Sequence, residues 1–316
     1  MTLKKDIEKS VELMKEAIQI TWKNGYLWWF GLVIAISEDL IYFATGAAVD
    51  QKSQEALTQL NIAPLIELVR VINQNKEEAI LGLILISSIL IIINIASYSS
   101  ILISLKRILK NQESTLKSSI IEGRKFVKKI IGFELSLAIF LLSVLVILAL
   151  PIYLLKNANL PIIADFMFLG AILIFIPIAI ISYFTRIFGH LYLVQHRLSI
   201  KESFRNAYSV FSNNLRSSFT LFASLIIILM TLTLFLVLLV NIFSAILLLT
   251  GSEVIVKLGM AILIIFDIIV KAAMIVFQRT LWVIFFNKIT IRKDDLKEKV
   301  LASELQESTA IAKEQA

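Results

Sequence analysis

Residues 199–219 read SIKESFRNAYSVFSNNLRSSF, a basic amphipathic segment that runs directly into a long apolar stretch. Its opening, Ser199-Ile200-Lys201-Glu202, fits a capping box. The serine side chain accepts from a backbone N–H, and the glutamate reaches back to the cap, so a helix starts here. Two earlier segments resemble it, MKEAIQITW at 14–22 and LKSSIIEGRKFV at 116–127, and each also leads into an apolar run. Superposing Lys15-Glu16-Ala17-Ile18, Lys117-Ser118-Ser119-Ile120 and Lys201-Glu202-Ser203-Phe204 gives lysine, polar, small, large apolar. Trp22, Arg124 and Tyr208 follow four positions later. Read as an internal repeat, the unit is interfacial helix, span, outer connection, span, and three units make six membrane helices. The same pattern also arises wherever a basic amphipathic helix precedes a span.

Composition sets the class. Of 316 residues, 58% are hydrophobic and only 17% charged, with a mean hydropathy of +0.84. Soluble domains carry about a quarter charged residues and rarely show apolar runs of about twenty, so the chain reads as an all-α polytopic membrane protein. Cysteine is absent, which excludes disulfides, thiolate metal sites and cysteine nucleophiles. His190 and His196 are six apart and share no helix face, which disfavours a two-histidine metal site and favours packing roles at the interface. The net charge of +7 clusters beside the apolar runs. It therefore points to lipid head groups rather than nucleic acid. The first twenty or so residues are polar or amphipathic, the wrong order for a cleavable signal peptide.

Residues 1–25 form an amphipathic helix, with Ile7, Val11, Met14, Ile18 and Trp22 on one face and lysines and glutamates on the other. Such a helix lies in the head-group region. The membrane domain, 26–288, holds six apolar segments at about 26–46, 79–105, 130–155, 160–188, 219–250 and 254–286. Each reaches the roughly 20 residues a span needs. The first enters through Tyr26, Trp28, Trp29 and Phe30, an aromatic belt, and is interrupted by Ser37, Glu38 and Asp39. Spans 3 and 4, and spans 5 and 6, are joined by connections short enough for antiparallel hairpins. Between spans 1 and 2, Pro64 followed by Leu65, Leu68, Val69 and Ile72 suggests a further interfacial helix. The tail, 289–316, is polar and charge-mixed, and is either helical or disordered.

Positive charge predicts orientation. Twenty-four of the 31 lysines and arginines fall on the N-terminus, the 2–3 and 4–5 connections and the tail, which places both termini in the cytoplasm of a cell (inner) membrane. Lys117, Arg124, Lys125, Lys128, Lys129, Lys201, Arg205 and Arg216 form a candidate basic surface for anionic phospholipid head groups or a membrane-protein partner.

The sharpest polar feature is the sixth span. Asp267, Lys271 and Gln278 lie along one helix face, with Arg279 beyond them, and Asp267 and Lys271 are spaced to pair. Charges near mid-bilayer are costly unless paired or hydrated, and they face the bundle interior. Glu38 and Asp39, at comparable depth, are candidates to face Lys271, and Glu134 near the inner end of span 3 is a further one. These groups suit an ion, proton or substrate pathway, or an ion-pair network holding helices together. Asn94 and Asn241 read as interhelical hydrogen-bonding groups. There is no GxxxxGK[ST], GxSxG or HExxH, no cofactor motif and no GxxxG seam. An enzyme is disfavoured.

The opening KEAIQITWKNGYLWWFGLVIAI (15–36), with the later IKESFRNAYSVF (200–211), resembles a group of uncharacterised bacterial multi-pass proteins. That group is similar to the membrane domain fused to some glycerophosphodiester phosphodiesterases. The resemblance implies an envelope membrane module; nothing here resembles the soluble phosphodiesterase barrel, so no catalytic residues carry over. The expected function is a cell-envelope structural or interaction module engaging anionic lipid or a partner. The alternative is a transporter or channel for a small solute or lipid, with its polar path along span 6.

Overall fold

The structure, a computed structural model, describes residues 3–49, 76–249 and 252–314. Among them there are helices and no strands. In order these are α1 (Leu3–Lys23), α2 (Leu27–Val49), α3 (Lys76–Leu109), α4 (Leu116–Gly123), a 3-10 turn (Arg124–Phe126), α5 (Val127–Asn157), α6 (Pro161–Gln195), α7 (Ile200–Asn213), α8 (Leu215–Leu249) and α9 (Glu253–Glu314). In hydrocarbon a chain satisfies its backbone within helices, so uninterrupted apolar helices are the expected form.

Five stretches among the described residues are long and apolar enough to cross a membrane: Ile84–Leu109, Leu116–Asn157, Pro161–Gln195, Leu215–Leu247 and Val254–Thr290. They have the make-up of a multi-pass membrane protein. Their large side chains, such as Ile139, Leu142, Leu173 and Leu238, are mostly exposed, as lipid-facing surfaces are. The first expected span is also helical, as α2; its side chains are described only as far as Tyr42, so it is not among the five. The interfacial helix read at Pro64 lies outside the described residues. The tail is helical, continuing α9 to Glu314.

The ends of the helices are chemically marked. Ser199 accepts from the Glu202 N–H at 3.3 Å, and Glu202 Oε2 accepts from the Ser199 N–H at 3.1 Å, which closes the capping box read from sequence. Thr115 and Ser118 make the same reciprocal pair at the start of α4. α3 and α5 each end in a Schellman turn with asparagine in the left-handed position, Asn111 at φ 53° and Asn159 at φ 55°. The Gln112 N–H bonds Arg107 O at 2.9 Å, and the Leu160 N–H bonds Leu155 O at 3.0 Å. Pro161 then opens α6, where its missing N–H costs nothing.

The chain divides into two compact units. The first comprises Met1–Ala17, Lys129–Ile226 and Thr280–Ala316. Here α6 packs against α7, and the core is aromatic. Phe184 stacks on Phe211 at 4.5 Å and meets Trp282 edge-on at 5.9 Å, and Phe133 stacks on Phe204 at 3.9 Å. Gly189 leaves room for the Phe133 ring, which a Cβ there would strike. The second unit comprises Ile18–Lys128 and Ile227–Arg279. In it α3 packs against both α2 and α4. A Cβ on Gly31 would lie 2.5 Å from Ala272 O, so glycine lets α2 approach the backbone of α9 closely.

Two of the basic amphipathic helices, α1 and α4, do not pack by the faces that their apolar residues suggest, as exposed Ile120 and Ile121 show for α4. In α1, Ile7, Val11, Ile18 and Trp22 are exposed, and only Met14 of the predicted apolar face is buried. The buried row lies one position earlier along the chain, at Asp6, Ser10, Leu13, Ala17 and Thr21. The small residue of each of the three similar segments is fully enclosed: Ala17, Ser119 and Ser203 each show 0% exposure. Four positions on, Thr21, Gly123 and Ala207 are buried as well. Small residues let backbones approach, as at membrane helix contacts generally.

Candidate functional site

The predicted charges of spans 1 and 6 come together in the second unit. Lys271 Nζ lies 2.7 Å from Asp267 Oδ2, one helical turn away on α9, and 3.1 Å from Asp39 Oδ1 on α2. These side chains keep 42–43% of their surface exposed, so the described residues do not enclose the triad. It borders a cavity of about 280 Å³ lined by Glu38, Asp39, Lys271 and Gln278 with Ala35, Leu229, Met274 and Ile275. Two carboxylates against one ammonium leave an acidic surplus, which the exposed Glu38 increases. Arg279 is spent elsewhere: its guanidinium sits 4.6 Å over the Tyr98 ring, a cation–π contact.

Glu134 is held in the first unit, in a cluster that sequence spacing does not reveal. Its Oε1 lies 2.6 Å from Arg186 Nε and 3.0 Å from Nε2 of the buried His190. His190 also meets Phe133 edge-on at 5.3 Å, and His196 packs on Tyr192 and Phe286. The signal for the cluster is the hairpin. Counting equal distances from the turn at Ala158–Leu160 brings Glu134 to the level of residue 184, about half a helical turn from Arg186. No group of three metal-ligating side chains occurs among the described residues.

All eight predicted basic side chains are exposed. Lys117, Arg124, Lys125 and Lys128 belong to the second unit, and Lys129, Lys201, Arg205 and Arg216 to the first. Of the eight, only Arg216 has a carboxylate partner among the described residues, Asp6 Oδ2 at 2.9 Å. Lys129 reaches Leu198 O at 3.5 Å. Glu202, beside Lys201, is engaged by its own helix start. Hydrogen bonds from the Ser199 side chain and backbone hold its carboxyl below the usual carboxylate range.

No family model, no curated protein and no solved structure matches this chain. Seven uncompensated cations at helix ends can hold anionic groups, and a half-open acidic cavity among apolar helices can admit a cation or a proton.

Proposed function

We propose that this chain is a six-span, non-catalytic module of the bacterial cell (inner) membrane, with both termini cytoplasmic, that holds anionic phospholipid head groups or a membrane partner through its basic side chains. The observation that carries this reading is that seven of the eight cations at the span entrances have no carboxylate partner among the described residues. Anionic leaflets attract such residues by about 1 kcal/mol each. The charge asymmetry of the connections supports the orientation, and the resemblance to envelope multi-pass proteins points the same way. The test is to count anionic and zwitterionic phospholipids retained by the purified protein. Replacing Lys125, Lys128 and Lys129 together by glutamine should lower the anionic share; an unchanged share would sink the reading.

The polar cavity favours a second reading, a transporter or channel for a small solute or lipid with its path past Asp39, Asp267 and Lys271. Here Asp267→Asn should abolish flux in proteoliposomes while the protein stays folded. Misfolding of that variant would instead make the triad a brace between helices.

A further inference from the structure

The second unit contains a cleft of about 480 Å³, within the range of pockets that hold small ligands. Three helices each give it one face. α2 supplies Trp29 and Val33, α3 supplies Ala96 and Ser97, and α4 supplies Ile120 followed by Arg124 at the next turn. The lining is almost entirely apolar, and small residues on α3 keep it open. Two polar groups are the exceptions that matter. Arg124 is exposed and has no ion pair among the described residues. The Ser97 hydroxyl, on a buried residue, has no hydrogen-bond partner among the described residues either, whereas Ser100 beside it is satisfied by Ala96 O.

An apolar channel ending in an unpaired guanidinium is complementary to one kind of molecule, an amphiphile with a hydrocarbon chain and an anionic head. We propose that the cleft between α2, α3 and α4 binds one anionic phospholipid, with an acyl chain along Trp29, Val33 and Ile120 and its phosphate on Arg124. A planar fork of donors suits a phosphate oxygen pair, and Ser97 can donate to an ester oxygen. This rests on the lipid-holding reading above and makes it specific: one retained lipid in a defined place, distinct from a diffuse basic surface.

The test uses the full chain in phosphatidylcholine bilayers, titrated with phosphatidylglycerol brominated in its acyl chains. Bromine quenches tryptophan on contact, so Trp29 reports occupancy, and Trp29→Phe should remove the saturable part of the quenching. Brominated phosphatidylglycerol should half-quench at a mole fraction roughly tenfold lower than brominated phosphatidylcholine, the factor that one retained ionic contact of about 1.4 kcal/mol implies. Arg124→Gln, at an exposed position, should erase that preference, and Ala96→Phe should block quenching by filling the cleft. Equal quenching by the two lipids, or quenching unaffected by Ala96→Phe and Ile93→Phe alike, overturns the proposal. The lysine variant separates the two levels. If Lys125, Lys128 and Lys129 govern lipid retention while Arg124 does not, the cleft site falls and the broader reading stands. If neither set governs it, both fall.

Discussion

Replacing Gly123 by alanine tests whether close approach of α4 to α3 holds the second unit together. Gly123 has φ −56° and ψ −43°, a conformation that any L-residue adopts, so the only penalty is contact. A Cβ there would collide with Ser100 Oγ and lie 3.0 Å and 3.1 Å from Ser100 N and Cα. The hydroxyl could turn, but the backbone cannot, so α4 must move away. That movement loosens two buried hydrogen bonds, Ser99 Oγ to Gly123 O at 3.0 Å and Ser104 Oγ to Ser119 Oγ at 2.7 Å. Overpacking costs roughly 1–3 kcal/mol, and interhelical bonds in membranes are worth about 0.6 kcal/mol each. Alanine returns up to about 1 kcal/mol of helix propensity. The net, from these same terms, is a loss of roughly 1–3 kcal/mol. Gly170 on α6 is the control: a Cβ there would meet nothing within 4 Å, so Gly170→Ala should gain stability or stay level. Hydrogen exchange of the α4 amides, read beside thermal unfolding, localises the effect. Adding Ser100→Ala to Gly123→Ala should restore part of the loss. A Gly123→Ala protein as stable as Gly170→Ala would refute the reasoning.

Lys271→Met strips the only cation from Asp39 and Asp267 within the triad and should cost on the order of 2 kcal/mol, the scale for an unpaired intramembrane charge. The triple variant Asp39→Asn, Lys271→Met, Asp267→Asn should recover most of it in thermal unfolding, and failure to recover would mean the charges do more than balance one another. Glu202 has its carboxyl held low in the folded chain, so its contribution is fully present above about pH 4.5 and fades as pH falls through the folded value. Protection of the α7 amides, taken relative to their intrinsic exchange rates at each pH, should therefore fall in acid, and Glu202→Gln should flatten that dependence. Because the chain has no cysteine, single-cysteine labelling maps its topology cleanly. Gln112→Cys should react only with permeant reagent in intact cells and Asn159→Cys with impermeant reagent too; the reverse pattern would invert the proposed orientation.

The helices are legible in the sequence because apolar runs and bilayer width dictate them, and so is the capped start of α7, but other ends are not. The fourth expected span stops near 188, whereas α6 runs to Gln195, because Gly189, His190 and Leu191 are buried against protein rather than lipid. The Asp267–Lys271 pair follows from spacing on one helix. Asp39 is reachable only as one of several groups at the same depth, and the structure selects it over Glu38 for the ion pair. Hydrophobicity misleads about the packing faces of α1 and α4, because it marks what avoids water, and lipid satisfies that demand as well as protein does. Small residues, which carry little hydrophobic signal, mark where two helices meet.

The two asparagine turns bear on how such a chain is built. Each closes on the helix just before it, through bonds spanning no more than five residues at Asn111 and Asn159. The turn between α5 and α6 is thus specified by local contacts alone, the kind that form fastest. It can be complete while α8 and α9 are still unsynthesised, leaving those two late helices to thread onto finished pieces as they leave the ribosome.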